Sequence, residues 1–244
     1  MQVPLSIFII CKNEEDVIET TLKQAAKLAD EIVIVDSGST DRTLEICKNY
    51  TDKIFHQDWL GFGKQKNIAL EKCTYDWVFN LDADEVITDD LIEEIKAQSF
   101  TIDDKGYLIA RKLFIGLDEV RHGGFYPDYQ LRIFQKNKAR FCSSPVHESV
   151  ELKDHFGNYS KSRTGLTMLK NPLCHYAYQD ISELEATFQK YASLSVRKKS
   201  SIKAVFSAVY VFFYKFFIRA GFLDGLLGLK LAIINAKYNF KKYS

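Results

Sequence analysis

The sequence predicts an α/β fold in which a mostly parallel, Rossmann-like central sheet carries helices on both faces and is followed by C-terminal amphipathic helices. Three observations carry this expectation. Short, β-branched and almost wholly apolar runs recur at residues 5–11, 31–36 and 77–81. Segments with helical apolar spacing separate them, and from Ile181 the pattern stays helical and turns basic. A run apolar at every position suits a strand covered on both faces, the environment of a parallel sheet.

The elements follow in order. Residues 5–11 lack a preceding basic segment and a small-residue cleavage site, so they read as a first buried strand rather than a signal peptide. Asn13 can cap a helix whose apolar face is Val17, Ile18, Leu22, Ala25, Ala26 and Leu28. With the strand at 31–36 this completes a β-α-β unit. The pattern then repeats: Thr40 or Asp41 caps a helix through Tyr50, residues 53–56 form a short strand, 64–72 a helix and 77–81 another strand. After Gly106 come short strands at 107–114, 129–134 and 146–152, with Gly123, Gly124 and Pro127 marking turns. This half is expected to build a second substrate's site. Helices then run to the end with breaks at Ser200-Ser201 and Gly221. The expected division is a catalytic domain at 1–180, with halves at 1–100 and 101–180, and a helical extension at 181–244.

Composition fits one globular domain: 244 residues, 46% hydrophobic and 27% charged, with no repeat or linker. The formal net charge of +1 argues against a nucleic-acid partner, yet it hides a split. Residues 1–185 carry 22 Lys and Arg against 31 Asp and Glu, whereas residues 186–244 carry 11 against the single acid Asp224. Five cysteines lie far apart without a C-x-x-C pair, which fits neither a zinc site nor a disulfide framework and suits a reducing compartment.

In a doubly wound sheet the ligand sits outside the carboxyl ends of the strands. Three acidic loops fall there: Lys12-Asn-Glu-Glu15, Asp36-Ser-Gly-Ser-Thr-Asp41 and Asp82-Ala-Asp-Glu85. If the strand continues through Asp82 and Asp84, alternation points both carboxylates the same way, toward one divalent cation or one ligand. A solvated acidic turn is the plain alternative. Asp36 can accept hydrogen bonds from a ribose or base, with Gly38 and the small residues beside it allowing close approach; a turn with a helix cap is its plain alternative. The order and spacing of the two acidic loops favour the functional reading of both.

Four segments, Ile10-Cys-Lys-Asn-Glu-Glu15, Val35-Asp-Ser-Gly-Ser-Thr-Asp-Arg-Thr43, Gly61-Phe-Gly-Lys-Gln-Lys-Asn-Ile-Ala-Leu70 and Asn80-Leu-Asp-Ala-Asp-Glu85, resemble the family 2 glycosyltransferases. They are most similar to the branch that includes lipopolysaccharide core β-1,4-glucosyltransferases. The resemblance continues through Tyr126-Pro-Asp-Tyr-Gln-Leu-Arg-Ile-Phe134, Pro145-Val-His-Glu148, His175-Tyr-Ala-Tyr178 and Gly221-Phe-Leu-Asp-Gly225. It implies a GT-A fold and an inverting transfer, in one displacement, from a nucleotide-diphosphate sugar, UDP-glucose by the same resemblance, to a glycolipid or lipopolysaccharide-core saccharide. It places Asn13, Asp36, Lys66 and Asp82 on the nucleotide-sugar side, Asp36 toward the nucleoside and Asp82 toward the ribose or donor sugar. Asp84 and the late His175 would serve a divalent metal, Mg²⁺ or Mn²⁺. Lys66 can equally be a solvated helix residue.

Such chemistry needs positive charge on the departing diphosphate and a carboxylate to take the acceptor's proton. Glu148 is the first candidate base and Asp128 the second, although His147-Glu148 departs from the family's common Glu-Asp form. Glu148 can also be a structural salt-bridge partner. His56, His122 and His155 show no ligand spacing and read as structural.

In the tail, residues 204–214 are uncharged and mostly apolar, including Phe206, Tyr210, Phe212 and Phe213. This run is too short to cross a bilayer, which needs about twenty residues. Flanked by Arg197, Lys198, Lys199, Lys203, Lys215 and Arg219, it reads as lying in a membrane interface with its cations on anionic headgroups. The expected location is peripheral, on the inner face of the cytoplasmic membrane; packing on the catalytic domain or on a second copy is the alternative. Two other functions compete. A phosphatase of the haloacid dehalogenase class would use Asp82 as nucleophile, but that motif ends a first strand and would leave Asp36 idle. A non-catalytic membrane-bound scaffold would bind no nucleotide.

Overall fold

The computed structural model describes residues 3–101, 103–142, 149–154, 156–194 and 200–243. The chain divides into two compact units, residues 1–110 with 129–173, and residues 111–128 with 174–244. Residues 111–128 and 174–180 thus group with the C-terminal helices, whereas composition alone puts a division at 180.

The first unit alternates strand and helix: β1 (Leu5–Cys11), α1 (Ile18–Ala25), β2 (Glu31–Asp36), α2 (Thr43–Cys47), β3 (Ile54–His56), α3 (Phe62–Lys72), β4 (Trp77–Asn80), β5 (Glu85–Ile87) and α4 (Asp89–Lys96). β1 pairs in parallel with β2 (Ile7 opposite Ile32) and with β4 (Ile7 opposite Phe79), and β2 pairs in parallel with β3. Next come β6 (Tyr107–Ile115), β7 (Asp118–Val120) and β8 (Asp128–Gln135). β8 runs antiparallel to β4, Val78 opposite Phe134, and the order across this part of the sheet is β3-β2-β1-β4-β8-β6. The order reverses direction at β1 and β4. That is the topological switch point, where two strand ends open away from each other and leave a crevice.

Burial explains why these strands lack a polar face. Ile7, Ile9, Ile34 and Phe79 point to one side and pack with Ile18 and Leu22 of α1 and Leu91 and Ile95 of α4. Their alternates Phe8, Val33, Val35 and Val78 point to the other side and pack with Ala69 and Leu70 of α3. α1 buries Ile18, Thr21, Leu22 and Ala25, the i, i+3, i+4, i+7 stripe of an amphipathic helix. At α4 the Thr88 side chain accepts from the Leu91 N–H, and Asp89 and Asp90 complement the helix N-terminus. Two expectations are corrected. Asn13 does not cap α1, which starts at Ile18, and the helix expected through Tyr50 is the short α2. Both loops spend their polar groups on each other instead.

A smaller sheet in the same unit joins β9 (Ala139–Phe141), β10 (Val150–Lys153) and β11 (Tyr159–Ser160), and β12 (Thr167–Met168) pairs with the start of β6.

In the second unit the far half of β6 forms a hairpin with β7, Leu113 opposite Val120. It also holds residues 174–178 of β13 (Leu173–Tyr178) and the helices α5 (Ile181–Leu194), α6 (Ser201–Phe213) and α7 (Gly225–Lys241). Its core is Ile115, Val120, Leu184, Leu231 and Ile234. Ser200 caps α6, and the break at Gly221 is a turn of 3₁₀ helix over Gly221–Asp224. Asp224 accepts from the backbone N–H groups of Arg121 and His122 and lies 2.7 Å from His122 Nδ1.

The helix begun by α6 continues through a π-helical turn, Tyr214–Ile218. It therefore spans the 18 residues Ser201–Ile218, long and apolar enough by length and composition to cross a membrane, rather than the 11 of its uncharged run. Lys215, expected to flank the apolar run with its cation on headgroups, is engaged by the protein instead. Its Nζ donates to the Gly123 carbonyl at 3.1 Å and sits 4.3 Å from the Phe125 ring centre.

Candidate active site

The first unit gathers three loops at the carboxyl ends of β1, β2 and β4. The β1 and β2 loops are stitched together. The Asn13 N–H donates to Ser39 Oγ at 2.9 Å, and Asn13 Oδ1 accepts from the Thr40 N–H at 2.8 Å. Glu14 N–H donates to Thr43 Oγ1 at 2.7 Å, and Arg42 N–H to the Glu15 carboxylate at 3.0 Å. Asn13 adopts φ +57, which asparagine tolerates better than most residues. Its side chain is a brace for this rim.

Asp36 is buried, and its carboxylate accepts from the N–H groups of Gly38 (2.8 Å) and Ser39 (3.0 Å) and from the Ser39 hydroxyl. It thus shapes the Ser37-Gly38-Ser39 turn, where φ of +87 at Gly38 needs glycine. Gln65, in the first turns of α3, is fully buried and donates to Ser37 Oγ and to the Gln57 carbonyl, both at 2.8 Å.

The expectation that strand alternation aligns Asp82 with Asp84 does not hold. β4 ends at Asn80, and residues 82–85 form a turn closed by the Glu85 N–H on the Asp82 carbonyl at 3.0 Å. The two carboxylates have different surroundings. Asp82 Oδ1 lies 2.8 Å from Lys66 Nζ, and Asp82 Oδ2 lies 2.9 Å from Arg132 Nη2. Lys66 is only 4% exposed, which removes its reading as a solvated helix residue. Arg132, 3% exposed, also pairs with the fully buried Glu85. Buried ions persist only when paired, and these four groups compensate one another.

Asp84 is close enough for its charge to act on Glu14 of the β1 loop. Burial, then the charges of Asp84 and Asp41, raise the Glu14 pKa from 4.5 to about 7. A carboxylate whose charge is felt by a neighbouring carboxyl group is the kind of oxygen donor a hard divalent cation favours. The rim therefore fits such an ion at Asp84 with Glu14 beside it. Among the described residues no group of three or more His, Cys, Asp or Glu has metal-holding geometry, so phosphate oxygens or water would have to complete the coordination.

The second unit contains a separate cleft of about 330 Å³ whose lining includes Arg111, Pro127, Asp128 and His175. Arg111 donates to Asp128 Oδ2 from Nε (2.9 Å) and Nη2 (2.6 Å), which orients this carboxylate. A cis Tyr126–Pro127 bond precedes it. Asp128 and His175 thus share one cleft. Glu148, with His147, lies outside the described residues, as do His155 and Arg197, Lys198 and Lys199.

The Glycosyl transferase family 2 profile matches residues 6–142, more than half of the chain and all three acidic loops. The chain belongs to glycosyltransferase family 2. This glycosyltransferase is 31% identical over 272 aligned residues to the lipopolysaccharide core biosynthesis glycosyltransferase LpsC of Rhizobium meliloti, covering 100% of this chain and 94% of LpsC. It is 30% identical to an uncharacterized glycosyltransferase of Rickettsia bellii, over 97% of this chain and 83% of that one. Among solved structures, Staphylococcus aureus TarS 1–349 superposes with a TM-score of 0.48 at 20% identity, covering 98% of this chain and 80% of that one. Its sheet order and family give the glycosyltransferase a GT-A fold, and membership displaces the phosphatase and scaffold readings. Sequence motifs alone assign no role to three residues of its site: Glu14, Gln65 and Arg132. Each carried a signal: Glu14 lies in an acidic rim loop, Gln65 in the Gly61–Leu70 segment, and Arg132 is a charge set between Leu131 and Ile133 in an apolar strand.

Proposed function

We propose that this glycosyltransferase transfers glucose, with inversion, from UDP-glucose to a lipid-linked or lipopolysaccharide-core saccharide at the inner face of the cytoplasmic membrane. The single observation that carries the reading is the loop after β4, with Asp82 clamped by Lys66 and Arg132 and the charge of Asp84 acting on Glu14 of the β1 loop. The name of the LpsC relative supports the acceptor class. Glucose rests on the resemblance of the sequence motifs.

In this reading Asp36 and Gln65 shape the turn that receives the nucleoside. Asp82, fixed by its two cations, orients the ribose or the donor sugar. Lys66 sets a positive charge beside the diphosphate. A Mg²⁺ or Mn²⁺ ion held by Asp84, with Glu14 as a further donor, would neutralise charge growing on the departing nucleoside diphosphate. A carboxylate takes the acceptor hydroxyl's proton as the new bond forms. Glu148 is assigned that role before Asp128, because Arg111 already occupies one Asp128 oxygen and suits it to positioning. The apolar surface of the Ser201–Ile218 helix, with Ile202, Phe206 and Tyr210 exposed, supports the membrane-interface part of this reading.

The reading is tested by incubating the enzyme with UDP-[¹³C]glucose, Mn²⁺ and core saccharide acceptors and following the anomeric proton by NMR. A new β-glucoside is expected, because the donor is α-linked. An α-linked product, or transfer from other nucleotide sugars but not UDP-glucose, would overturn it.

A further inference from the structure

The helical unit contains a cavity that the donor chemistry leaves unused. α5, α6 and α7 line an open, almost wholly apolar groove of about 450 Å³. Phe188, Phe212, Ile233 and Phe240 contribute apolar walls, and Lys237 and Lys241 line it as well. We infer that this groove takes one acyl chain of an anionic membrane phospholipid, with Lys241 meeting the headgroup phosphate. The inference rests on the proposed interfacial placement of α6 and adds a specific lipid site to it.

Three features select this occupant. The first is continuity: Val209 and Phe213 of α6 line the groove, and Phe206 and Tyr210 on the same helix are 72% and 66% exposed. A chain beside α6 in the interface can thus enter the groove along apolar surface, which is the low-cost path for a hydrocarbon. The second is charge. Lys237 lies 2.7 Å from Glu185, and Lys241 has no ion-pair partner among the described residues, so a cation remains beside an apolar slot. An amphiphile with an anionic head and an apolar tail matches that pairing. The third disfavours a second copy of this chain. Residues 186–244 carry 11 Lys and Arg against one acid, so a symmetric contact would bring surfaces of one sign together.

The test uses the full chain with vesicles of phosphatidylcholine, alone or mixed with phosphatidylglycerol, each containing a trace of the same lipid with a mid-chain diazirine. After irradiation, adducts are mapped by mass spectrometry, and vesicle binding is read separately by flotation. Acyl adducts are expected on peptides covering 208–213 and 233–241, at least fivefold more from phosphatidylglycerol. Ala236→Trp, which fills the groove, should lower them at least tenfold while the protein still floats. Lys241→Glu, at an exposed position, should abolish the preference for phosphatidylglycerol. Unchanged adducts in both variants, with flotation intact, would overturn the groove site and leave interfacial binding standing. Failure of the wild type to float with either vesicle would overturn the interfacial placement, and the groove with it. A dimer in lipid-free solution that Ala236→Trp dissociates would give the groove to a second copy instead.

Discussion

Asp82 owes its position to two buried cations, and a carboxylate so held can be altered from either side with different results. Lys66→Met should leave Asp82 with Arg132 and keep the fold, while lowering donor affinity about tenfold, the loss typical of one charge-assisted contact; steady-state KM for UDP-glucose checks this. Arg132→Met removes the partner of fully buried Glu85 and should cost about 3–5 kcal/mol in denaturant unfolding, because an uncompensated charge remains inside. A second network makes a pH prediction. Glu31 is subject to burial, which raises its pKa, but bonds from Lys53, Ser6 and Thr74 outweigh burial and lower it from 4.5 to about 2. Its contribution is therefore complete above pH 4.5 and lost as pH falls from 4.5 toward 2. Lys53→Met should move the acid-unfolding midpoint to higher pH, and an unchanged midpoint would remove Lys53 from the account. Lys66 shows how far residue-level reading goes. Its place in the motif is visible in sequence, but its burial depends on an anion 16 positions later in another element.

At the scale of elements, apolar patterning located β1, β2 and β4 because both faces of each strand are covered, which leaves no ambiguity of period. The loops were less legible. Asn13 looks like a cap because the local sequence allows it, but its partner is Thr40, 27 residues away, and no local rule supplies a long-range bond. The alignment of Asp82 with Asp84 failed for a similar reason: the strand stops at Asn80, and a turn replaces alternation. Lys215 was read as a flanking cation because sequence cannot say that a π-helical turn directs it to the Gly123 carbonyl. The junction it helps to build makes its own prediction. A methyl group added at Gly228 in α7 would overlap the Gly221 carbonyl, so Gly228→Ala should destabilise the helical unit by about 1–3 kcal/mol. Hydrogen exchange over 221–241 would report it, and wild-type protection there would show that the junction tolerates a side chain.

At the scale of the whole molecule, the charge split is the clearest signal in composition. The acidic first 185 residues contain the nucleotide-side rim, and the basic remainder contains the exposed apolar helix. The central claim is that the loop after β4 binds a nucleoside diphosphate with a divalent cation at Asp84. Titration calorimetry of UDP into the purified enzyme tests it most directly, with Mn²⁺ and then with EDTA, in the wild type and in Asp84→Ala. Binding is expected to need the metal and to fall at least tenfold in the variant. Metal-independent binding of equal strength in both proteins, or no binding in the wild type under either condition, would contradict it.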